Sequence, residues 1–181
     1  KNNIYHVNFE SELYCVSVLE FPENATNKDY NFQKNTLAYT IDNNLYIADA
    51  DNIKLKINPD KNEENIIYGQ AVHRYEFGIY KGIFWSNDGN KLAFYRKDES
   101  MVTDYPLMDI SSRVGYADII KYPMAGMASH HVTLGVYNTN IDEVIYLNTG
   151  EPKEQYLTNI CWGPNDKYIY IAVLNRDQNH L

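Results

Sequence analysis

The sequence has little cysteine and lacks the common motifs of covalent catalysis. Cys15 and Cys161 are far apart, stand inside apolar strand-like runs and show no C-x-x-C or Cys/His spacing. We therefore expect buried free thiols, with a disulfide as the less favoured alternative. The G-x-S-x-G, G-x-x-x-x-G-K-S/T and H-E-x-x-H motifs and the EF-hand loop are all absent. This predicts no catalytic residue in the chain, and neither a metal nor a cofactor.

Clustered positive charge and long apolar runs are also missing. The 16 basic residues are scattered along a chain with a formal net charge of −8, which argues against a nucleic-acid partner. No apolar run approaches the ~18 residues of a membrane span, and no signal peptide is recognisable. The chain opens abruptly on KNNIYHV, so we expect a fragment cut from a longer protein.

Tyrosine and period-2 alternation are what the sequence has in abundance. The chain contains 17 Tyr, a residue that favours strands, and 44% of its residues are hydrophobic, which is typical of a globular protein. No segment of ~12 residues keeps a helical period, so an all-β chain is predicted. Alternating segments that are predicted as strands lie at 45–57, 91–96, 131–139, 143–149 and 168–176.

Three segments repeat without a gap: YNFQKNTLAY (30–39), WSNDGNKLAF (85–94) and WGPNDKYIYI (162–171). Each has an aromatic residue, polar turn-formers and the start of an apolar strand. Their starts are further apart than the roughly 40–50 residues of a four-stranded blade, and residues 98–129 supply an insertion. This predicts a partial β-propeller of about three antiparallel blades that start near residues 30, 85 and 162. A β-sandwich is the competing architecture.

Two groups of polar residues are candidates for a site. Residues 73–76 (His, Arg, Tyr, Glu) precede a strand. They are either a surface loop whose Arg and Glu make ion pairs, or a segment that holds an acidic side chain towards a central cavity. His130 and His131 are adjacent and would point to opposite faces of a strand, which disfavours a metal site. Asp98 and Glu99 follow a strand and are predicted to form a solvated turn.

Several long stretches match one known family. They are NNLYIADA (43–50), AVHRYEFGIYKGIFWSNDGNKLAFYRKDESMVTDYPLMD (71–109), YPMAGMASHHVTLGVYN (122–138), TGEPKEQYLTNICW (149–162) and AVLNRDQNHL (172–181). These stretches resemble the amino-terminal propeller region of the dipeptidyl peptidase IV family. They are most similar to its Bacteroidetes members, including the prolyl tripeptidyl peptidases. The resemblance covers most of residues 35–181 and is loose over residues 1–34.

The resemblance implies a serine exopeptidase of the prolyl oligopeptidase clan that releases di- or tripeptides from free amino termini, after Pro or sometimes Ala. Residues 1–181 would be part of an eight-bladed propeller that caps an α/β-hydrolase domain. That domain, which carries the catalytic Ser, Asp and His, is absent from this chain. The implied partners are peptide substrates with free amino termini and the hydrolase domain, and a homodimer is left open. The implied location is periplasmic or secreted.

The resemblance also implies a role for the HRYEFG segment. Mammalian members bind the ammonium group of the substrate with two adjacent Glu, whereas this segment looks like a bacterial form with one. The role therefore passes to Glu76 alone, and Arg74 would orient Glu76 or a substrate carbonyl. The single acid leaves open whether a di- or a tripeptide is released. The alternative function is a stand-alone β-propeller module for protein interaction.

Overall fold

The structure is a computed structural model, and it describes residues 2–9, 14–49, 51, 54–58 and 64–181. The described residues form strands joined by turns, with two single-turn 3-10 helices, His73–Tyr75 and Pro164–Asp166. This confirms the all-β prediction. The strands are β1 (Asn2–Asn8), β2 (Tyr14–Phe21), β3 (Thr26–Asn31), β4 (Thr36–Ile41), β5 (Asn44–Ala48), β6 (Lys54–Lys56), β7 (Ile66–Tyr68), β8 (Ile83–Trp85), β9 (Lys91–Asp98), β10 (Asp104–Asp109), β11 (Tyr116–Lys121), β12 (His131–Asn138), β13 (Glu143–Tyr146), β14 (Gln155–Trp162) and β15 (Ile169–Asn175).

The strands are paired antiparallel into four small sheets and one separate hairpin. Sheet I is β1–β2, and sheet II has the order β3-β4-β5-β6. Sheet III has the order β13-β12-β9-β7, and β8 also pairs with β9. Sheet IV is β14–β15, and the hairpin is β10–β11. Sheets I to IV follow one another in chain order, which is the arrangement of consecutive propeller blades.

Strand β9 shows why the sheets stack in series. Leu92 and Phe94 belong to a core shared with sheet II, whereas Ala93 and Tyr95 belong to a core shared with sheet IV. Because successive strand residues point to opposite faces, this alternation buries both faces of sheet III. A sandwich has two sheets with one core between them, so two cores on one sheet favour the propeller over the sandwich.

The aromatic residues of the repeat lie where one sheet meets the next. Tyr30 lies within β3, Trp85 ends β8 and Trp162 ends β14. Trp85 and Trp162 are each half-buried. The reason is that each indole lies at a sheet boundary, where its N–H donates to the main chain of the preceding sheet.

The predicted insertion, residues 98–129, leaves sheet III between its neighbouring strands β9 and β12. It contains the β10–β11 hairpin, which pairs with no other strand in the described part of the chain. The hairpin is largely exposed, and Met108, Ile110 and Val114 are among its exposed apolar residues. At its base the N–H of Tyr122 donates to the carbonyl of Thr103 at 3.0 Å, so the two ends of the excursion meet.

Both cysteines are free, but the expectation that they are buried is wrong. Cys15 and Cys161 are exposed. Cys161 stands in β14 opposite Tyr170, which is itself exposed, so an apolar strand-like run did not guarantee a covered face on both sides. The described residues contain no helix that could span a membrane.

Candidate functional site

The segment between β7 and β8 forms an unusual turn, which we call the anchor turn (residues 73–77). His73, Arg74, Tyr75 and Phe77 have φ values of 50°, 56°, 62° and 55°, all in the left-handed region. A residue with a side chain loses about 1–2 kcal/mol of conformational free energy in this region. Local hydrogen bonds compensate in part, because the N–H of Glu76 donates to the carbonyl of His73 at 3.0 Å. The remaining stabilisation has to come from contacts that the turn makes with the rest of the fold.

Aromatic contacts fasten the anchor turn to two neighbouring elements. The ring of His73 stacks on that of His130, just ahead of β12, with centroids 4.9 Å apart. The same ring meets Tyr156 of β14 edge-on, also at 4.9 Å. Phe77 contacts Tyr156 from the other end of the turn, at 4.6 Å. The turn is thus held between sheets III and IV by side chains that flank the candidate acid.

Arg74 and Glu76, the two predicted site residues, are both exposed on the anchor turn. The guanidinium carbon of Arg74 lies 4.4 Å from the ring centroid of Tyr122, at the base of the hairpin. Within the part of the chain that the structure describes, no ion pair joins Arg74 to Glu76. The Glu76 carboxylate is therefore available to a ligand, and Arg74 links the anchor turn to the hairpin.

Both residues line a cavity of about 580 Å³ between the anchor turn, the end of β9, the base of the hairpin and sheet IV. A volume of this size lies within the range of small-ligand sites. The charged side chains that line it are Arg74, Glu76, Lys97, Glu99, Lys121 and Arg176.

Two of the lining cations already have acidic partners. Lys97 Nζ lies 2.7 Å from Glu99 Oε1, and the side chains of both residues are at most 16% exposed. Lys121 Nζ lies 2.9 Å from Asp104 Oδ1. The charge of Glu99 is therefore compensated within the cavity wall, whereas that of Glu76 is not compensated by either of these lysines.

The two stacked histidines are held in the neutral form. Burial, followed by the neighbouring His130 and the cations Lys97 and Arg176, lowers the pKa of His73 to about 3. Burial and the same two cations lower the pKa of His130 to about 4. His130 Nε2 and His73 Nδ1 are 3.2 Å apart and share one hydrogen bond, whose direction depends on the tautomers.

The sequence identified one wall of this cavity and missed the others. Residues 73–76 do meet at one turn, as their adjacency predicted. The solvated turn expected at Asp98 and Glu99 is wrong for Glu99, because Lys97 draws its carboxylate into the cavity wall. The contributions of His130, Tyr156 and Arg176 were missed, since no sequence signal links residues that are more than 50 positions apart.

Comparison with known proteins agrees with this fold. The family model "Dipeptidyl peptidase IV (DPP IV) N-terminal region" matches residues 3–181. A relative from Phaeosphaeria nodorum, named as a dipeptidyl-aminopeptidase B, is 31% identical over an aligned length of 183 residues, and the match covers 88% of this chain and 20% of the relative. This chain thus spans about a fifth of the length of that relative.

Two solved structures are similar to the chain. One, described as a dipeptidyl aminopeptidase IV from Bacteroides ovatus, has 51% sequence identity and a TM-score of 0.77 over 87% of this chain and 21% of its own. Dipeptidyl peptidase 4 from Porphyromonas gingivalis has 25% identity and a TM-score of 0.78 over 91% of this chain and 24% of its own. These neighbours confirm the partial β-propeller. The chain therefore belongs to the dipeptidyl peptidase IV family, and it is a part of that family's N-terminal region.

Proposed function

We propose that this chain is the substrate-gating part of the propeller in a prolyl-specific serine exopeptidase, and that it recognises the free amino terminus of the substrate. The full-length enzyme would release di- or tripeptides and would act in the periplasm or outside the cell. The names of the relatives and the family resemblance of the HRYEFG segment support this proposal. The catalytic serine would come from a hydrolase domain that the described residues do not include.

One observation carries the proposal: Glu76 presents an exposed carboxylate to a cavity in which the other acid is neutralised. Glu99 is paired with Lys97, so Glu76 is the acid left to attract an ammonium group. A bond between a carboxylate and an ammonium group is charge-assisted and roughly twice as strong as a neutral hydrogen bond. A substrate whose amino group is acetylated cannot make it.

Binding of the ammonium group at Glu76 would determine which peptide bond of the substrate is cleaved. Once the ammonium group is held, the distance from Glu76 to the catalytic serine fixes which peptide bond is attacked. The cavity volume of about 580 Å³ suits a ligand of a few residues rather than a folded chain. Arg74 and Arg176 line the same cavity and carry donors suited to substrate carbonyl groups.

The experiment is a comparison of Glu76→Gln with wild type in the full-length enzyme, on substrates with free and with acetylated amino termini. Truncating one partner of a desolvated charge pair costs about 2–5 kcal/mol, so kcat/KM for the free substrate should fall roughly 30-fold or more. The already slow cleavage of the acetylated substrate should hardly change.

Glu99→Gln is the matched control, because it removes an acid from the same cavity whose charge Lys97 already compensates. We expect its effect on the ratio of free to acetylated substrate to be less than about threefold. Wild-type rates for Glu76→Gln on the free substrate would overturn the proposal. So would equal effects of the two substitutions.

A further inference from the structure

The histidine pair in the cavity wall has no role in the proposal above, yet it joins the anchor turn to the segment just ahead of β12 by both a hydrogen bond and ring stacking. The side chain of His73 is buried, with 6% of the residue exposed. The backbone of His73 and of its neighbours Arg74 and Tyr75 is in the left-handed region. Its Nδ1 faces His130 Nε2, and its other nitrogen, Nε2, is buried without a hydrogen-bond partner among the described residues. A buried polar atom without a partner is costly, so this arrangement needs a reason.

The shared hydrogen bond works only while the accepting ring is neutral. A hydrogen bond between two imidazoles needs one N–H and one lone pair. A proton on the accepting nitrogen would place two N–H groups face to face. A proton on His73 Nε2 instead would bury a charged donor with no acceptor. The closed pair therefore resists protonation of the accepting ring, and of His73 in either tautomer.

The surroundings of the pair act in the same direction. Positive charge reaches it from β9, from the segment after β15 and from β12, and Tyr156 of β14 covers the edge of His73. The acid of β9 is paired with its own lysine, and the acid of the anchor turn is exposed. The charged and titratable groups that face the pair or line its cavity are Arg74, Tyr75, Glu76, Lys97, Glu99, Lys121, Tyr122, His131, Tyr156 and Arg176.

The place of the pair in the fold connects it to Glu76. His73 starts the anchor turn, and its carbonyl accepts the hydrogen bond from the Glu76 N–H at 3.0 Å. If the ring of His73 leaves its position between His130 and Tyr156, the strained turn loses the contacts that hold it. The carboxylate of Glu76 would then no longer have a fixed position in the cavity.

We propose that His73 and His130 are positioning residues: as a neutral, hydrogen-bonded pair they hold the anchor turn so that Glu76 faces the cavity, and proton uptake by the pair in acid releases the turn. Recognition of the amino terminus is thereby linked to pH. This inference rests on the proposed function of Glu76 and adds to it the regulation of the same site.

The test measures binding of the product peptides Ala-Pro and Ala-Ala-Pro to the full-length enzyme by calorimetry between pH 7 and pH 5. An α-amino group has a pKa of about 7.7–8, so the charge of the ligand is nearly constant over this range. Each histidine shifts the opening equilibrium by up to about tenfold per pH unit below its ordinary pKa of about 6.5. With the anchor turn open in about 1% of molecules at pH 7, the two histidines together make the open form predominant at pH 5, so we expect the affinity to fall about tenfold, with protons released on binding in acid.

The decisive variant is the double substitution His73→Asn and His130→Gln. The Asn amide reproduces the position of Nδ1, the Gln amide reproduces that of Nε2, and neither can take up a proton. We expect this variant to bind within about threefold of wild type at pH 7 and to retain that affinity at pH 5. His130→Ala, which removes the hydrogen bond, should weaken binding at both pH values, and His130→Gln should restore it.

His131→Gln is the control, since it removes the adjacent imidazole but keeps both rings of the pair. Because His131 acts on His130 only through its charge and is the last of the four causes that lower the pKa of His130, most of the pH dependence of wild type should remain. A wild-type affinity that does not change with pH would overturn the inference, and so would a double variant that loses affinity in acid as wild type does. Failure of the proposed function looks different: Glu76→Gln would then bind the free peptides as tightly as wild type does.

Discussion

Trp162 of sheet IV donates its indole N–H to the main-chain carbonyl of Phe84 in sheet III, at 2.9 Å. The same bond recurs one repeat earlier, where Trp85 donates to the carbonyl of Asp29 at 3.0 Å. In both cases the acceptor immediately precedes the first residue of the previous repeat, so the two bonds are equivalent. A tryptophan N–H that leaves water needs a partner, and here the neighbouring sheet supplies it.

Trp162→Phe tests the strength of this link. Phe keeps most of the ring and removes the N–H, so the bond from the indole to the Phe84 carbonyl is lost. We expect a loss of about 0.5–1.5 kcal/mol in the free energy of unfolding of the propeller, measured as a lower urea midpoint in the full-length protein. Tyr168→Phe removes the hydroxyl of an exposed residue and should change nothing. An unchanged midpoint for Trp162→Phe would mean that water replaces the bond.

The tips of the repeats are joined by a buried carboxylate. Asp166 is 3% exposed, and its Oδ1 accepts from the N–H and the side-chain amide of Asn87, at 2.9 and 2.7 Å. Its Oδ2 accepts from the N–H of Asp88 at 2.8 Å. Two main-chain N–H groups of sheet III thus depend on one side chain of the next repeat.

Asp166→Ala should therefore be one of the most destabilising single changes at a sheet boundary, by about 2–4 kcal/mol, because it leaves those donors unpaired and places Ala at a φ of 52°. Asp166→Asn keeps one acceptor and tolerates the left-handed backbone, so its cost should be smaller. Urea unfolding would give both values, with the exposed Asp177→Ala as the control. Equal costs for Ala and Asn would show that the one acceptor oxygen that Asn retains contributes nothing to stability.

Gly135 has a packing reason to lack a side chain. It stands opposite Phe94 in the β12–β9 pair, and a Cβ at this position would lie 2.5 Å from the Phe94 ring. Gly135→Ala should destabilise the propeller by about 1–3 kcal/mol, since Phe94 is fully buried and cannot move aside. Combining it with Phe94→Leu should cost less than the sum of the two single changes in a double-mutant cycle. Strict additivity of the two effects would show that the Phe94 ring can move aside for the new methyl group.

The histidine pair predicts how stability depends on pH. The pKa values of His73 and His130 in the folded protein, about 3 and 4, lie below the unfolded value of about 6.5. Below pH 6.5 the two histidines bind protons in the unfolded chain but stay neutral in the folded protein. Their stabilising contribution is thus complete above pH 6.5 and declines as the pH falls towards 4 and 3.

The measurement is the urea midpoint of wild type and of the non-titrating double variant His73→Asn, His130→Gln at several pH values. The difference between the two proteins should shift in favour of the variant below pH 6.5, whereas titrating carboxylates elsewhere affect both equally. A constant difference across this range would show that the two imidazoles take up protons without disturbing the fold.

The fold could be predicted from the sequence because each sheet is specified locally. Alternation in β9 is visible in KLAFYR, and turn-formers stand beside each strand. What local pattern does not contain is the contact between sheets. Nothing in the repeat indicated that Asp166 would accept hydrogen bonds from Asn87, 79 positions away. Nor did it indicate that Cys161 would lie on an exposed face of its strand.

The candidate site was predictable only in so far as it is contiguous. Residues 73–76 are neighbours, so their side chains were considered together, and family resemblance singled out Glu76. His130 was considered only as a metal ligand beside His131, because sequence spacing cannot reveal that a ring 57 positions away covers it. The pairing of Glu99 with Lys97 was missed for another reason. Alternation places both residues on one face at the end of a strand, but it does not indicate on which side of the sheet a cavity lies.

The hydrogen bond between Tyr122 and Thr103 has a consequence for how this part of the molecule can diverge. The chain leaves and re-enters sheet III at a narrow neck, where Tyr122 donates to Thr103 and Lys121 Nζ donates to the carbonyl of Val102, and the hairpin beyond it shares no strand pairing with the described sheets. Its length can therefore grow or shrink among descendants without a change in the register of β9 or β12. Tyr122 at the neck is constrained in addition by its ring, which contacts the guanidinium of Arg74.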